Sequence, residues 1–417
     1  MDAEIISVGD ELLTGLTVNT NAAVIGEALV YSGHPVRWIT TVGDDEADLI
    51  RAFEQAFTRS RLVVMTGGIG PTHDDITKKT AARFFESDLV FRKDILERLQ
   101  AFFQRRGRTM SPSNASQAWV PEKAELLDND AGTAPGFLFR RGNALCFILP
   151  GVPAEAERMM RGEVLPRLMA ADPGQTFRSR LLRTVGIPES ELYDRIFDFP
   201  ERFPQIKLAF LPQPSGLTLR LVAWGRNAAD CDSLIESGER FIREKAGEWI
   251  YGVDGDTLEK AVAERLLAQG KILSVAESCT GGLVANKLTN ISGSSTFFER
   301  GVVAYSNASK VQLLGVSMDR LSRFGAVSAE TAAAMAEGIR RTSESDIGLS
   351  TTGIAGPGGG SDQRPVGLLY VGYSDAGRTM TEKHIFFRDR LGNKERFAAA
   401  ALDLLRRSLS GAESNTA

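Results

Sequence analysis

The chain has 417 residues, 43% of them apolar and 24% charged, values ordinary for globular proteins at a length that calls for roughly two to four domains. A formal charge of −4 and a pI near 5.7 argue against general attraction to nucleic acid or anionic membrane. Three scattered cysteines, Cys146, Cys231 and Cys279, argue against a disulfide framework or a cysteine zinc site; with no leader-like pattern or membrane-length apolar run, the expected location is the cytoplasm.

Short apolar runs alternate with amphipathic stretches in the first part. Glu4 to Val8, Val36 to Val42 and Leu62 to Thr66 read as strands, with helices at Asn21 to Tyr31, Glu46 to Thr58 and Asp75 to Phe85. That βαβ order predicts a parallel, doubly wound sheet. Helices at Arg92 to Arg106 and Ser113 to Trp119 follow, then strands Gly136 to Phe139 and Ala144 to Leu149, and a helix to about Met169.

Polar turns follow these strands at the ends where doubly wound folds place ligands. Thr66-Gly67-Gly68-Ile69-Gly70-Pro71-Thr72-His73-Asp74-Asp75 brings glycines, whose backbone N–H groups approach a phosphate, together with paired carboxylates suited to a divalent metal. Gly9-Asp10-Glu11, Gly43-Asp44-Asp45 and Pro150-Gly151-Val152-Pro153-Ala154-Glu155 are expected at the same cleft. The phosphate set is Gly67, Gly68, Gly70, Thr72 and Gly151; the metal set is Asp74, Asp75, Glu11, Asp44 and Glu155. The plainer reading of each acid is a helix N-terminus stabilised by the dipole. No Walker lysine motif or complete GxGxxG occurs, against a triphosphatase or Rossmann dehydrogenase.

Asp172-Pro173-Gly174 reads as a linker. Beyond it, strands at Arg178 to Val185, Lys207 to Phe210 and Leu217 to Ala223, with helices at Glu189 to Phe197 and Ala228 to Lys245, predict a small α+β domain. A second break falls at Gly252 to Asp256. The domains expected are 1–171, 172–252 and 253–410, with 411–417 a frayed tail.

In the third domain an apolar run, Ile272 to Val275, meets Ala276-Glu277-Ser278-Cys279-Thr280-Gly281-Gly282 before a helix-like stretch. A serine at such a turn combines an exposed hydroxyl with free backbone N–H groups, as an acyl-transfer nucleophile requires. The chain has three histidines, and a Ser-His-Asp triad would rest on His384 alone. A lysine base fits better: Tyr305 and Lys310 follow the run Gly301 to Ala304, and Lys310 serves if burial lowers its pKa, with Tyr305 relaying the proton or orienting the amine. The plainer reading is an N-cap and surface decoration. Strand alternation lets either Ser278 or Cys279 face the cleft, and the residues alone leave that choice open.

These motifs, with Gly9 to Gly15 and Thr352-Gly353-Ile354-Ala355-Gly356-Pro357, occur in one order, and the chain resembles the competence/damage-inducible CinA family over nearly its whole length. The resemblance implies a three-part α/β protein: a molybdopterin-binding-like domain with metal-dependent ADP-ribose pyrophosphatase activity in some members, a KH-like connector, and a nicotinamide mononucleotide amidohydrolase needing no cofactor. It implies Ser278 rather than Cys279 as nucleophile, with Tyr305 and Lys310 beside it. Thr280, Gly281, Gly282, Ser295, Thr352, Gly353 and Arg390 would hold oxyanion and substrate; Arg388 competes with Arg390. The middle segment lacks the Gly-x-x-Gly clamp of a nucleic-acid-binding KH domain, so a homodimer and small-molecule pyridine nucleotides are the expected partners. The family's name also suggests a non-catalytic accessory role in competence, through a recombination protein rather than direct DNA contact, or a first domain that only binds a pterin or nucleotide.

Overall fold

A computed structural model describes residues 1–171, 176–225 and 227–410. The expected linker at Asp172 to Gly174 and the tail 411–417 lie outside the described residues. Two compact units result, Met1–Arg178 with Trp224–Cys231, and Ser179–Ala223 with Asp232–Ala417. Among the described residues no helix is long and apolar enough to cross a membrane.

In the first unit β1 (Ala3–Val8), β2 (Val36–Val42), β3 (Leu62–Thr66), β6 (Glu125–Leu127), β7 (Gly136–Arg141) and β8 (Ala144–Leu149) form one sheet in the order β2-β1-β3-β8-β7-β6. β1, β2, β3 and β8 are parallel. β7 and β6 continue antiparallel, so the sheet is mixed, which corrects the expectation of a parallel one. The reason is local: Arg141-Arg140 and Ala144 pair across a tight turn too short for a crossover helix. A separate ribbon pairs β4 (Leu89–Phe91) with β5 (Trp119–Pro121); Trp119 thus begins a strand rather than ending a helix. Both faces of the main sheet are covered by apolar clusters, one with Ile6, Phe53 and Met65 and one with Ile5, Ile25 and Val64. This explains the continuous apolar runs of β1 and β3.

The middle segment forms a four-stranded sheet, β10-β11-β9-β12, from β9 (Thr176–Thr184), β10 (Ile206–Pro212), β11 (Leu217–Gly225) and β12 (Ile250–Val253). β12 pairs with β9, so Gly252 and Val253 end a strand where a break was expected.

The last segment is a five-stranded sheet, β14-β13-β15-β16-β17, of β13 (Leu273–Glu277), β14 (Phe298–Val303), β15 (Ile347–Gly353), β16 (Leu368–Ser374) and β17 (Thr379–Ile385). β14, β13 and β15 are parallel, and β16 and β17 antiparallel. The helix Ala329–Ser343 lies close on one face, where Ser350 Oγ donates to Ala332 O at 2.6 Å. On the other face the helices Leu258–Ala268 and Arg390–Leu409 bury Val262, Leu266, Phe397 and Leu402 against Val275 and Leu349.

Candidate functional site

Parallel register brings three strand ends to one edge of the last sheet. Glu277 of β13 pairs with Val303 of β14 and Thr351 of β15, so Ser278, Ala304 and Thr352 are neighbours although far apart in sequence. Alternation along β13 then sorts the side chains. Ala276 enters the cluster with Ala304, Leu314 and Met335, and Ser278 shares its face. Val275 and Cys279 enter the opposite cluster.

Ser278 meets Lys310 on that face: Nζ donates to Ser278 Oγ at 3.1 Å, to Ala304 O at 2.9 Å and to Tyr305 O at 3.3 Å. Lys310 is 1% exposed and Ser278 9%, so the hydroxyl is nearly enclosed rather than exposed. Burial lowers the Lys310 pKa, which only an ionised Cys279 would oppose, and no carboxylate pairs with the amine among the described residues. An ammonium has three donors and no acceptor. Its three donors match the three acceptors here, whereas a neutral amine would keep two donors for the carbonyls and turn its lone pair to the Ser278 proton. The Cys279 thiol is pushed up to about 12, chiefly by burial, leaving little nucleophilic thiolate at neutral pH. His384 lies on β17, opposite Leu369 and beside Glu382, three strands from β13, so no Ser-His-Asp triad forms.

The turn after Ser278 differs from expectation. Glu277, 1% exposed, places its carboxylate under the helix Leu283–Thr289 and accepts from the N–H groups of Gly282 at 2.9 Å, Val284 at 3.1 Å and Ala285 at 2.8 Å. Gly282 therefore has no free donor for an oxyanion, correcting its expected role. The N–H groups of Thr280 and Gly281 have no protein acceptor among the described residues. Gly282 has φ 93°, a backbone that glycine alone adopts readily. The Thr280 hydroxyl is buried against Thr351 Oγ1 at 2.7 Å.

Tyr305 serves by its main chain: its carbonyl accepts from Lys310, whereas its hydroxyl, 3.3 Å from Arg390 Nη2, carries no bond to Lys310 or Ser278 among the described residues. The expected phenol relay is therefore absent. Arg390 also donates to Gly356 O at 2.6 Å, joining Tyr305 to the Gly356–Gly360 loop. Arg388 lines a separate groove with Val366, Phe386 and Phe387. Asn393, unanticipated, is fully buried and donates to Ala355 O and Arg388 O, tying the loop to the helix start. Thr352 and Gly353 lie at the end of β15, but the Thr352 hydroxyl donates to Ala326 O at 2.6 Å and offers substrate only lone pairs. Ser295 is not brought to the site within one chain. It sits in the short turn Ser294–Thr296 before β14, and β14 begins beside Leu273, about 15 Å from Ser278 at strand rise.

In the first unit, aligned ends of β1, β2, β3 and β8 frame a cavity of ≈ 830 Å³ lined by Asp10, Glu11, Asp44, Asp74, Asp75 and Glu155, with Gly67, Gly68, Gly70 and Gly151. Gly67 has φ 105°, and a Cβ there would fall 2.3 Å from Val8 O, so the close turn requires glycine. Asn21 locks the same ends, donating to Thr66 Oγ1 at 2.9 Å and Gly151 O at 2.8 Å. The acids do not converge as expected. Asp75 accepts from Thr72 N and Oγ1, which turns Thr72 away from phosphate; Glu155 accepts from Asn129 Nδ2, and Asp74 meets His73. No group of three or more potential ligands gathers among the described residues.

Asp44 stands apart from these acids. Burial raises its pKa; a backbone bond from Asp10 opposes the rise, while the charges of Asp10, Glu11 and Asp74 add to it. Crowded carboxylates with no cation lining the cavity fit a hard divalent ion held by one or two protein oxygens plus substrate phosphates. Gln117, a residue the sequence did not single out, lines this cavity and is 1% exposed, with its carboxamide oxygen unpartnered. Lys78 Nζ donates to the adjacent Ser116 O at 2.7 Å, and burial lowers its pKa to about 8.

Removing the Glu277 carboxylate strands buried donors, so Glu277→Ala should lower folding stability by roughly 2–4 kcal/mol. Urea unfolding followed through the C-terminal transition checks this, and a wild-type midpoint contradicts the capping role.

Comparisons with known proteins divide the chain in three. Residues 4–170 match the probable molybdopterin binding domain, 179–252 the damage-inducible protein CinA KH domain, and 255–409 the CinA C-terminal domain. A CinA-like protein of Kosmotoga olearia is 43% identical over 98% of this chain and 99% of its own length. A putative competence-damage inducible protein of Caldicellulosiruptor saccharolyticus is 41% identical over 98% and 99%, and a CinA-like protein of Salinibacter ruber 41% over 98% and 100%. Similarity of this extent, joined to the three domain matches in order, means that the chain belongs to the CinA family.

Proposed function

We propose that the C-terminal domain deamidates nicotinamide mononucleotide to nicotinic acid mononucleotide and ammonia. The observation that carries this reading is the enclosed contact between Lys310 Nζ and Ser278 Oγ, in a setting that favours a neutral amine. Lys310 takes the Ser278 proton as Oγ bonds to the carboxamide carbon. The oxyanion is held by the N–H groups of Thr280 and Gly281, an interaction whose loss typically costs about 100–1000-fold per donor. The proton passes from Lys310 to the departing nitrogen, and the C–N bond breaks to release ammonia. Lys310 then deprotonates the water that cleaves the acyl-serine. Arg390 and the Gly356–Gly360 loop receive the phosphate side of the substrate.

Ser278→Ala should abolish ammonia release from the mononucleotide without unfolding the protein, while Cys279→Ala should retain it. The opposite pattern in a coupled ammonia assay assigns the nucleophile to Cys279.

For the first unit we infer a metal-dependent ADP-ribose pyrophosphatase. Asp44 and Asp10, brought together by reciprocal backbone bonds, would hold a divalent cation jointly with the substrate phosphates, and that cation when bound neutralises and polarises pyrophosphate oxygens. The Gly67–Gly70 turn offers backbone N–H groups to the phosphates. Gln117 offers a donor and an acceptor to a base edge.

ADP-ribose turnover should require a divalent metal and should fall at least about tenfold in Asp44→Asn, the cost of losing roughly one charged ligand interaction. Metal-independent turnover, or none in the wild-type protein, reduces this unit to a binding module.

A further inference from the structure

The C-terminal helix Arg390–Leu409 carries, one turn beyond Arg390, a second cation for which the deamidation chemistry has no use. Lys394 Nζ lies 3.5 Å from the position that a Cβ on Gly281 would occupy, above the turn that follows Ser278. It is half-buried, and among the described residues it forms no ion pair or hydrogen bond. The neighbouring acid is already engaged, since Glu395 Oε2 pairs with Lys287 Nζ at 2.9 Å. The Asp389 side chain caps the helix by accepting from Gly392 N at 2.7 Å.

Residues four apart share a helix face, separated by about 6 Å of rise. Arg390 and Lys394 thus form one edge, the guanidinium bridging Tyr305 and Gly356 and the ammonium facing Gly281. The Thr280 and Gly281 N–H groups, without protein acceptors among the described residues, and the N-terminus of a 20-residue helix add positive potential to the same side. A phosphate monoester carries a charge of about −1.5 to −2 at neutral pH, which two cations match and one does not.

We propose that Lys394 is a phosphate-binding residue of this site, acting with Arg390 to select the mononucleotide over the cationic riboside, which lacks the phosphate; this rests on the deamidase reading. It assigns Lys394 to specificity: the ammonium binds the part of the substrate remote from the bond that breaks.

Equilibrium binding to the full-length, catalytically silent Ser278→Ala protein tests it, with nicotinamide mononucleotide and nicotinamide riboside as probes. Adding Lys394→Met should weaken the mononucleotide by about 10- to 100-fold, the loss expected for one charge-assisted hydrogen bond, and leave riboside binding unchanged. Lys394→Arg should restore most of the affinity. Equal weakening of both ligands, or unchanged mononucleotide binding, overturns the assignment. Ammonia release by the wild-type protein is measured in parallel: its absence defeats the deamidase reading, whereas the Lys394 assignment is decided by the two binding curves.

Discussion

A primary amine that is shut away from water has to place its donors on whatever surrounds it, and its protonation state follows from what it finds. Lys310 finds two backbone carbonyls and the Ser278 hydroxyl, without a carboxylate. Desolvation penalises the charged form, the direction that the proposed role of the amine as a base toward Ser278 requires. Everything else in the domain serves to keep that pair apposed and dry. The parallel register of β13, β14 and β15 supplies the carbonyls and the serine from one edge, and the cluster around Leu314 and Met335 excludes water from the lysine stem.

Both candidate sites lie at strand ends, with different chemistry in each. In the last domain the ends present a buried lysine amine and a hydroxyl; in the first they present acids and close glycine turns around an open cavity. The sign of the charge separates the tasks. Crowded carboxylates ask for a cation, whereas unpaired N–H groups and basic side chains ask for an anion.

Much of this was legible in the sequence because strand ends announce themselves. Val36–Val42 and Leu62–Thr66 were read at their observed limits, since each is an apolar run bounded by Gly-Asp or Gly-Gly. Ser278 and Lys310 also follow strand-like runs, though the choice of Ser278 over Cys279 rests on the family resemblance. What escaped was set by long-range contact. Glu277 looks from sequence like one more polar residue before a turn, but its position on β13 aims it beneath the following helix, consuming the Gly282 donor. Ser295 precedes its strand, and parallel pairing sends residues before and after a strand to opposite edges of the sheet. Tyr305 was credited with its phenol, though its carbonyl is what touches the amine. The strand Gly136 to Phe139 is read from sequence within β7, but its antiparallel direction and the whole of β6 are not, because a three-residue strand and a short hairpin carry too little pattern. Gln117 and Lys394 gave no local signal at all, since an unpartnered polar group is visible only once its neighbours are in place.

The central claim is that Lys310 acts uncharged, and the pH dependence of the first turnover tests it most directly. Ammonia released in a single turnover from nicotinamide mononucleotide should fall as pH is lowered, because Lys310 gains a proton, with a midpoint below the value of about 10.4 for a free lysine. Lys310→Met and Lys310→Arg should both lose the reaction, the second because arginine stays charged. A first turnover that is independent of pH on the acid side, or that survives in Lys310→Arg, contradicts the account.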